Sequence, residues 1–192
     1  MNAEFTEIIP QELRNRNQWM TWRFVEDRKV PNGKSNDPDT WSQFDEVKHF
    51  PKVAFVFSND DPFCGVDLDG CLVDGKFTEW SKPILDRFRG VAYGEISPSG
   101  NGVKFTTRGA KPEGSPCLKK TGEGKQQIEC YDHGRFWTIT GNVLAGFEQI
   151  GDGQAAVDWL LVTYLAKNSE TVKPSTKKIG RASCRERVSP YV

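Results

Sequence analysis

The amino-acid sequence predicts an α+β fold in which helices pack against a mainly antiparallel sheet. Three observations favour this class. Runs of β-branched and aromatic residues alternate with stretches of helical periodicity, and tight turns join several neighbouring runs, as antiparallel pairing allows. The length of 192 residues, with six Trp and twelve Phe, suits one domain that has a core of its own.

The elements of the first half follow from apolar periodicity and from the turn residues between the runs. A helix over about Trp41–Phe50 is favoured because Asp39 or Thr40 can cap it and because its large apolar side chains form a stripe. The predicted elements, in order, are a short helix starting at Pro10, a strand over Trp19–Phe24, a turn over Lys29–Gly33, the helix over Trp41–Phe50, a buried strand over Val53–Phe57, a turn over Ser58–Pro62 and a strand that carries Gly65–Gly70.

The second half is predicted to form hairpins between two helices. The Asp-Gly dipeptide at 74–75 and the Gly-rich stretch 97–102 indicate turns, and Gly90 is suited to end a helix. The predicted elements are a helix over Glu79–Phe88, paired strands over Val91–Ile96 and Val103–Thr107, a long loop over 109–126, a strand over Gln127–Tyr131 with a partner strand over Phe136–Gly141, and a helix over Gly153–Ala166.

The end of the chain differs in character from the rest. Residues 1–166 are expected to form the domain, and 167–178 are a polar linker by composition. Residues Ile179–Val188 resemble the translation of a common sequencing-library adapter. We therefore expect 179–192 to be a non-native tail on a truncated chain, the alternative being a short basic tail.

Two carboxylates in the stretch Gly65–Gly70 are the first candidate for chemistry. Side chains alternate faces along a strand, so Asp67 and Asp69 are expected on one face, roughly 7 Å apart, with Val66 and Leu68 in the core. Such a pair is costly inside a sheet unless it is paired or metal-bound. The alternative is a solvated strand end whose acids decorate a turn.

A third acid and a cationic turn complete the pattern. Glu129 lies between apolar residues on a predicted strand, and Lys104 follows the Gly-rich turn 97–102, whose backbone amides can face an anion. Phosphoryl or nucleotidyl transfer requires both halves, because metal ions align the reacting oxygens and cationic donors hold the triphosphate.

Other site classes are disfavoured by spacing. Aligning Gly70 with the EF-hand glycine leaves Lys76 where a bidentate Glu belongs, and the Gly-rich turn matches neither a P-loop nor a dinucleotide-binding turn. Zinc is disfavoured because no CxxC pair accompanies Cys117, Cys130 and His133. Cys64 and Cys71 are expected to be small buried residues. A Ser-His-Asp triad has no supporting motif.

A series of motifs between Asn17 and Asn142 resembles the catalytic domain of archaeo-eukaryotic primase-polymerases (prim-pol) of phages and plasmids, which is described as a bifunctional DNA primase/polymerase N-terminal domain. The resemblance implies an N-terminal α/β unit joined to an antiparallel sheet like that of RNA-recognition modules, with packed helices. The motifs are NQWMTWR, KVP, DPDTWSQF, VAFVFSNDDPFCGVDLDG, YGEISPSGNGVKF and IECYDHGRFWTITG.

The resemblance also implies the roles of particular residues. Asp67, Asp69 and Glu129 match the acids that bind two catalytic Mg²⁺ or Mn²⁺ ions. Lys104 stands where that family has a His that contacts the triphosphate; it keeps the positive charge and loses the directional imidazole donor. For Arg135 and Lys29, ordinary surface charges are the alternative. The nucleotide-binding residues expected from the resemblance are Ser99, Gly100, Gly102, Lys104, Arg135 and Lys29.

The predicted function is template-directed nucleotidyl transfer by a DNA primase and DNA polymerase in the replication of a phage, plasmid or other mobile element. The expected partners are a single-stranded DNA template, nucleoside triphosphates and a helicase domain or protein. A catalytically weak or inactive nucleic-acid-binding replication-initiation module is the alternative, and a metal-dependent nuclease lacks an obvious general-base His. No apolar run approaches a membrane span and the N-terminus is not a secretory signal, so we expect no membrane partner and a cytoplasmic location.

Overall fold

The computed structural model describes residues 3–121 and 126–166, which form two antiparallel sheets, a small hairpin and short helices. The predicted linker and tail, 167–192, lie outside the described residues. The strands are β1 (Trp19–Val25), β2 (Arg28–Pro31), β3 (Val53–Phe57), β4 (Phe63–Asp69), β5 (Leu72–Val73), β6 (Lys76–Phe77), β7 (Tyr93–Ile96), β8 (Val103–Arg108), β9 (Leu118–Lys120), β10 (Gln127–Tyr131), β11 (Arg135–Ile139) and β12 (Val143–Glu148). The α-helices are α1 (Ala3–Ile8), α2 (Gln11–Arg14), α3 (Phe44–Val47), α4 (Lys82–Phe88) and α5 (Gln154–Leu160).

The strands are divided between two sheets, and this division determines which side chains meet at the candidate site. The smaller sheet has the order β11-β3-β1-β2, and the larger has the order β12-β7-β8-β4-β10-β9. All ladders between these strands are antiparallel. The α+β class with mainly antiparallel sheets is therefore confirmed.

Hydrophobic residues pack on both faces of the larger sheet. On one face, helices α4 and α5 cover alternate residues of the central strands, among them Val66 and Leu68, which are fully buried. The opposite face packs against the smaller sheet through aromatic side chains. Phe63 of β4 meets Phe55 of β3 at 5.8 Å between ring centroids. Because side chains alternate along a strand, the residues of β4 that leave the helix-covered face lie on the face toward the smaller sheet.

Two predictions for the N-terminal half are wrong. The turn lies at Glu26 and Asp27, both with positive φ, and not at Lys29–Gly33; Lys29 pairs with Phe24 within the hairpin. The helix predicted over Trp41–Phe50 shortens to α3, preceded by a 3-10 turn over Pro38–Thr40. Trp41 follows the last residue of that turn, and its backbone is extended, not helical.

The C-terminal half departs from prediction in pairing. The strand β11 does not pair with β10 as expected; it crosses to the smaller sheet and pairs with β3. Asp132–Gly134 make the crossing, and the Gly134 amide donates to the Phe57 carbonyl at 2.8 Å. The predicted loop 109–126 contains the short strand β9, and neither α1 nor β12 was predicted. The final predicted helix is confirmed as α5 followed by one π-helical turn over Leu161–Leu165.

Across residues 3–121 and 126–166, the longest apolar helices fall short of what a bilayer crossing needs.

Candidate active site

Four charged side chains form one row across the larger sheet. In the ladders, Glu129 is directly opposite Asp67, Asp67 is opposite Lys104, and Lys104 is opposite Glu95. Directly opposed residues of an antiparallel pair project to the same face. All four side chains are buried, so the row combines three acids and one cation at the face that packs toward the smaller sheet.

Asp67 is at the centre of this row. Its Oδ2 forms an ion pair with the Lys104 ammonium, and both side chains are at most 10% exposed. Its Oδ1 is buried without a hydrogen-bond partner. A buried carboxylate oxygen without a donor is costly, so this atom is an open ligand position for a cation or a donor.

Glu129 has three neighbours that contact its carboxylate. Gln127 Nε2 donates to Oε1 at 2.9 Å, Arg135 Nη2 donates to Oε2 at 3.1 Å, and Tyr131 forms a further side-chain hydrogen bond. Burial raises the pKa of Glu129 above its ordinary value, and the Arg135 charge opposes that rise. The guanidinium of Arg135 also lies 4.6 Å from the centroid of the Tyr131 ring, which fixes the arginine beside the acid.

Asp69 lies at the end of β4 and is half-buried. Its Oδ2 accepts a hydrogen bond from Gln127 Nε2 at 2.9 Å, so Gln127 bridges Asp69 and Glu129. Burial and the nearby Asp67 charge raise the pKa of Asp69. Sequence reasoning missed Gln127, although its position two residues before Glu129 places it on the same face of that strand.

Lys104 is fixed by an aromatic side chain as well as by its ion pair. Its ammonium lies 3.9 Å from the centroid of the Trp137 ring, within cation-π distance. Trp137 belongs to β11, so the strand that crosses between the sheets contributes to the site. The lysine is thus directed at an acid and at an indole in the structure, and its contact with a triphosphate stays a prediction.

The predicted glycine turn adjoins the acids. The Gly100 amide donates to the Ser97 carbonyl at 2.9 Å, and the Ser99 hydroxyl lies 2.9 Å from that of Ser97. A Cβ at Gly102 would lie 2.8 Å from the Leu68 carbonyl oxygen, so a side chain there would meet backbone. Gly102 therefore allows the turn to approach β4 closely, whereas Ser99 and Gly100 are exposed at its tip.

Lys29 is brought toward the site from β2 of the smaller sheet. Burial is the largest cause of its lowered pKa, and the positive charge of Lys104 adds to it. The negative charges of Asp67 and Asp69 act in the opposite direction, which shows that Lys29 lies within electrostatic range of the acids. Contact of Lys29 with a nucleotide stays a prediction, with an ordinary surface charge as the alternative.

Glu95 was not predicted as a site residue. Its carboxylate accepts hydrogen bonds from the amides of Thr140 and Gly141, at 2.8 and 3.0 Å, and from the Tyr93 hydroxyl at 3.0 Å. Burial raises the pKa of Glu95 to about 7 in spite of these donors. It joins β7 to the segment that follows β11 and so holds the two sheets together behind Lys104.

The carboxylates are the type of ligand that a divalent cation prefers, but their present spacing is not that of a metal site. Oxygen ligands are those that Mg²⁺ and Mn²⁺ prefer, and Asp67 Oδ1 has no competing donor. Within residues 3–121 and 126–166, however, no three acidic, His or Cys side chains are grouped closely enough to hold a metal ion as they stand. Lys104 and Arg135 instead neutralise Asp67 and Glu129.

Comparison with known proteins supports the resemblance drawn from the motifs. No family model matches the chain. The sequence is 35% identical over an alignment of 148 residues to a protein named DNA Primase-polymerase from Nitratiruptor phage NrS-1, and the match covers 69% of this chain. The chain belongs to the primase-polymerase family. The match spans only 20% of the length of that relative.

Within this primase-polymerase chain, the structure brings most of the predicted site residues together. Asp67, Glu129 and Lys104 share one row, Asp69 is bridged to Glu129 by Gln127, and Gly102 adjoins Leu68 and Asp69. Arg135 contacts Glu129, and Lys29 is within range of the acids. Cys64 and Cys71 are buried as predicted, on or beside the helix-covered face.

Proposed function

We propose that this chain catalyses template-directed nucleotidyl transfer, as the primase and polymerase domain of a phage, plasmid or related mobile element. The reaction is in-line attack of a 3′-hydroxyl, or of an initiating nucleotide's hydroxyl, on the α-phosphorus of a nucleoside triphosphate. The new P–O bond forms as the bond to the bridging oxygen breaks, and pyrophosphate leaves. The expected partners are a single-stranded DNA template and nucleoside triphosphates, with a helicase domain or protein to supply unwound template.

One observation carries this proposal. Asp67 and Glu129, two of the three acids, are direct cross-strand partners in a buried row, and Asp67 keeps an oxygen with no donor. Burying acids at the centre of a sheet is costly, so it indicates a site built for cationic ligands. The homology to a phage protein named as a primase-polymerase supports the same reaction.

Asp67, Asp69 and Glu129 would hold two Mg²⁺ or Mn²⁺ ions, which would supply charge neutralisation and alignment of the reacting oxygens. Gln127 orients Asp69 and Glu129 by donating to both carboxylates. Burial raises the pKa of Asp69 and of Glu129, so bound cations would stabilise the ionised form of both carboxylates.

The basic side chains would hold the triphosphate. Arg135 presents a planar guanidinium, which suits phosphate oxygens, and is 45% exposed, so it is accessible to a ligand. Lys29 lies within range of the same acids from the smaller sheet. The exposed amides of the turn at Ser99 and Gly100 would add neutral donors. Lys104 acts as a point charge between Asp67 and the phosphates.

The balance of charge supports binding of a metal-bound triphosphate. Besides Glu95, whose pKa is raised to about 7, the site holds three carboxylates, Asp67, Asp69 and Glu129, and three cations, Lys104, Arg135 and Lys29, so its own net charge is small. A triphosphate with about four negative charges and two divalent ions is also close to neutral. The two therefore combine without leaving a large uncompensated charge in a partly buried cleft.

The experiment incubates the purified chain with primed and unprimed single-stranded DNA, Mn²⁺ and labelled nucleotides. Primer extension that is lost in Asp67→Ala, with synthesis on unprimed template scored separately, is the expected result. Lys82→Ala, which removes an exposed charge at the start of α4, is the control and should retain activity. Binding of DNA without any synthesis, or shortening of the DNA, would overturn the proposal.

A specific observation favours a second candidate, a nucleic-acid-binding module without turnover. Lys104 and Arg135 already neutralise Asp67 and Glu129, as internal cations do in a site that has lost its metal ions. The same assay separates the two, since this candidate gives DNA binding that is unchanged by Mn²⁺ and no incorporation of label.

A further inference from the structure

The side chain of Tyr131 contacts both an acid and a cation of the candidate site. Tyr131 ends β10, two residues after Glu129, so both side chains project to the face that carries the acids. Its ring centroid lies 4.6 Å from the guanidinium carbon of Arg135, and its side chain forms a hydrogen bond with Glu129. The sequence did not predict Tyr131 as a site residue, and the proposed function gives it no role.

The backbone between the two residues brings Arg135 to this ring. Asp132–Gly134 cross from β10 to β11, and the Gly134 amide donates to the Phe57 carbonyl at 2.8 Å, which fixes the start of β11. Gly134 has a φ of +65°, a conformation that glycine adopts most readily, so the crossing can be tight. The chain therefore places Arg135 beside Tyr131 by its path, independently of the contact between Arg135 and Glu129.

The Tyr131 ring is itself held in place. The residue directly opposite it in the β4–β10 ladder is Gly65, which has no side chain to compete for the space. The ring packs against the buried hydrophobic cluster between the two sheets, and the hydrogen bond with Glu129 anchors its hydroxyl end. The ring therefore presents a fixed face to Arg135.

The two contacts of Arg135 use different properties of the guanidinium. Its Nη2 donates a hydrogen bond to Glu129 Oε2 at 3.1 Å, whereas the attraction to the Tyr131 ring is a cation-π contact that requires no N–H donor. The N–H donors are the groups that bind carboxylate and phosphate oxygens. The contact with Tyr131 can therefore persist when a phosphate takes the place of Glu129 as the acceptor.

Lys104 shows the same combination of contacts at the neighbouring acid. Its ammonium forms an ion pair with Asp67 and lies 3.9 Å from the centroid of the Trp137 ring. Each of the two cations thus neutralises one acid and contacts one aromatic ring. Arg135 is 45% exposed and Lys104 only 7%, so Arg135 is the more accessible of the two to a ligand that arrives from solvent.

We infer that Tyr131 is a positioning residue for the triphosphate, because its ring keeps Arg135 at the site while the arginine N–H donors move from Glu129 to phosphate oxygens. The inference rests on the proposed function, since it takes a nucleoside triphosphate as the ligand. Tyr131 acts on nucleotide binding through Arg135 and makes no contact of its own with the nucleotide. A side chain that served packing alone would affect folding without this dependence on Arg135.

Isothermal titration calorimetry of the full chain with deoxyadenosine α,β-imidotriphosphate and Mn²⁺, without DNA, measures nucleotide binding without turnover. Tyr131→Leu is expected to weaken binding about two- to fivefold, the effect of one cation-π contact at a partly exposed site. Tyr131→Phe keeps the ring and should retain most of the affinity. Tyr164→Leu is the matched control, because it makes the same change at a half-buried tyrosine that contacts Trp159, and it should bind as the wild-type protein does.

A double-mutant cycle separates the positioning role from a structural one. In an Arg135→Gln background, Tyr131→Leu should cost no further affinity, because the cation that the ring holds is absent. Equal losses in the two backgrounds would overturn the inference, and so would a Tyr131→Phe variant that binds as weakly as Tyr131→Leu. Circular dichroism checks that each variant is folded, and Tyr131→Met replaces Tyr131→Leu in the cycle if the leucine variant does not fold.

Failure of this inference is distinguishable from failure of the proposed function. If the wild-type protein extends primers while Tyr131→Leu binds the analogue as tightly as wild type does, Tyr131 is not a positioning residue and the catalytic proposal stands. If Tyr131→Leu weakens binding only where Arg135 is present, but the wild-type protein incorporates no nucleotide, the inference about Tyr131 stands and the catalytic proposal fails.

Discussion

Lys104 lies directly opposite Asp67 in the ladder between β8 and β4, and its ammonium forms an ion pair with the Asp67 carboxylate. The two side chains are almost completely removed from solvent, at 7% and 10% exposure. Lys104 stands where the family resemblance has a histidine, whereas Asp67 matches the acid of that family. The ion pair links the proposed metal-binding and phosphate-binding halves of the site through a single contact.

Removing one member of this pair is expected to destabilise the protein more than removing both. Asp67→Asn leaves Lys104 buried without its counter-charge, and Lys104→Met does the same to Asp67, at about 3–5 kcal/mol each. The double variant buries neither charge alone and should be more stable than either single variant. Urea denaturation of the four proteins measures this coupling, and strictly additive losses would contradict it.

Glu95 is expected to make stability depend on pH. Its pKa is about 7 in the folded protein against an ordinary 4.5, so between these values the folded state holds a proton that the unfolded state has released. The stabilisation that comes from protonated Glu95 is complete below about pH 4.5 and is lost as the pH rises through 7. The free energy of unfolding should fall with pH by at most about 1.4 kcal/mol per pH unit through this one group.

Chemical denaturation between pH 5 and 8 checks this dependence. Glu95→Gln cannot titrate, so its free energy of unfolding should fall less steeply with rising pH than that of the wild-type protein. Asp69 and Glu129 also have raised pKa values, but they remain in both proteins and cancel in the comparison. Parallel curves for the two proteins would rule out the assigned role of Glu95.

Local patterns account for what the sequence predicted correctly about the site. The two-residue alternation of a strand is enough to place Asp67 and Asp69 on one face and Val66 and Leu68 on the other. Glu129 could be identified as an acid on a strand for the same reason. The turns at 74–75 and 97–102 were predictable because Gly and Asp residues carry the required backbone conformations.

The remaining features depend on contacts between distant segments. The ion pair of Asp67 with Lys104 follows from the register of β4 on β8, which no local pattern encodes. Pairing of β11 with β10 is expected from sequence because strands that are neighbours in the chain often form hairpins. In the structure β11 pairs with β3 instead, and Trp137 packs in the core of the smaller sheet. Glu95 was not predicted as a site residue because an acid within Tyr-Gly-Glu-Ile is typical of a solvent-exposed strand position. Only the packing of the smaller sheet against β7 shows that Glu95 is buried.

Gly65 is expected to tolerate no side chain. A Cβ there would lie well inside contact distance of the Phe57 ring and 3.0 Å from Trp137, which also contacts Lys104. Gly65→Ala should therefore cost about 1–3 kcal/mol through overpacking. Gly109→Ala is the matched control, because its Cβ would meet only ordinary contacts at 3.5 Å. Thermal unfolding of both variants checks this, and equal effects would contradict it.

Mn²⁺ binding is expected to require the three acids together. Asp69→Asn and Glu129→Gln should each weaken Mn²⁺ affinity about tenfold or more, the size of effect seen when one supporting group of a metal site is lost. Asp86→Asn removes an exposed acid of α4 and should bind Mn²⁺ as the wild-type protein does. Electron paramagnetic resonance of free Mn²⁺ gives the affinity without any need for turnover.

The same titration with a non-hydrolysable nucleoside triphosphate tests the charge balance of the site. Lys104 and Arg135 neutralise Asp67 and Glu129 in the absence of ligand, so Mn²⁺ alone must compete with two internal cations. A triphosphate offers these cations new partners and releases the carboxylates, so Mn²⁺ affinity should rise when nucleotide is present. In Arg135→Gln one competing cation is absent, so Mn²⁺ alone should bind more tightly and the gain from nucleotide should shrink. Mn²⁺ affinity that is the same with and without nucleotide in both proteins would contradict this linkage.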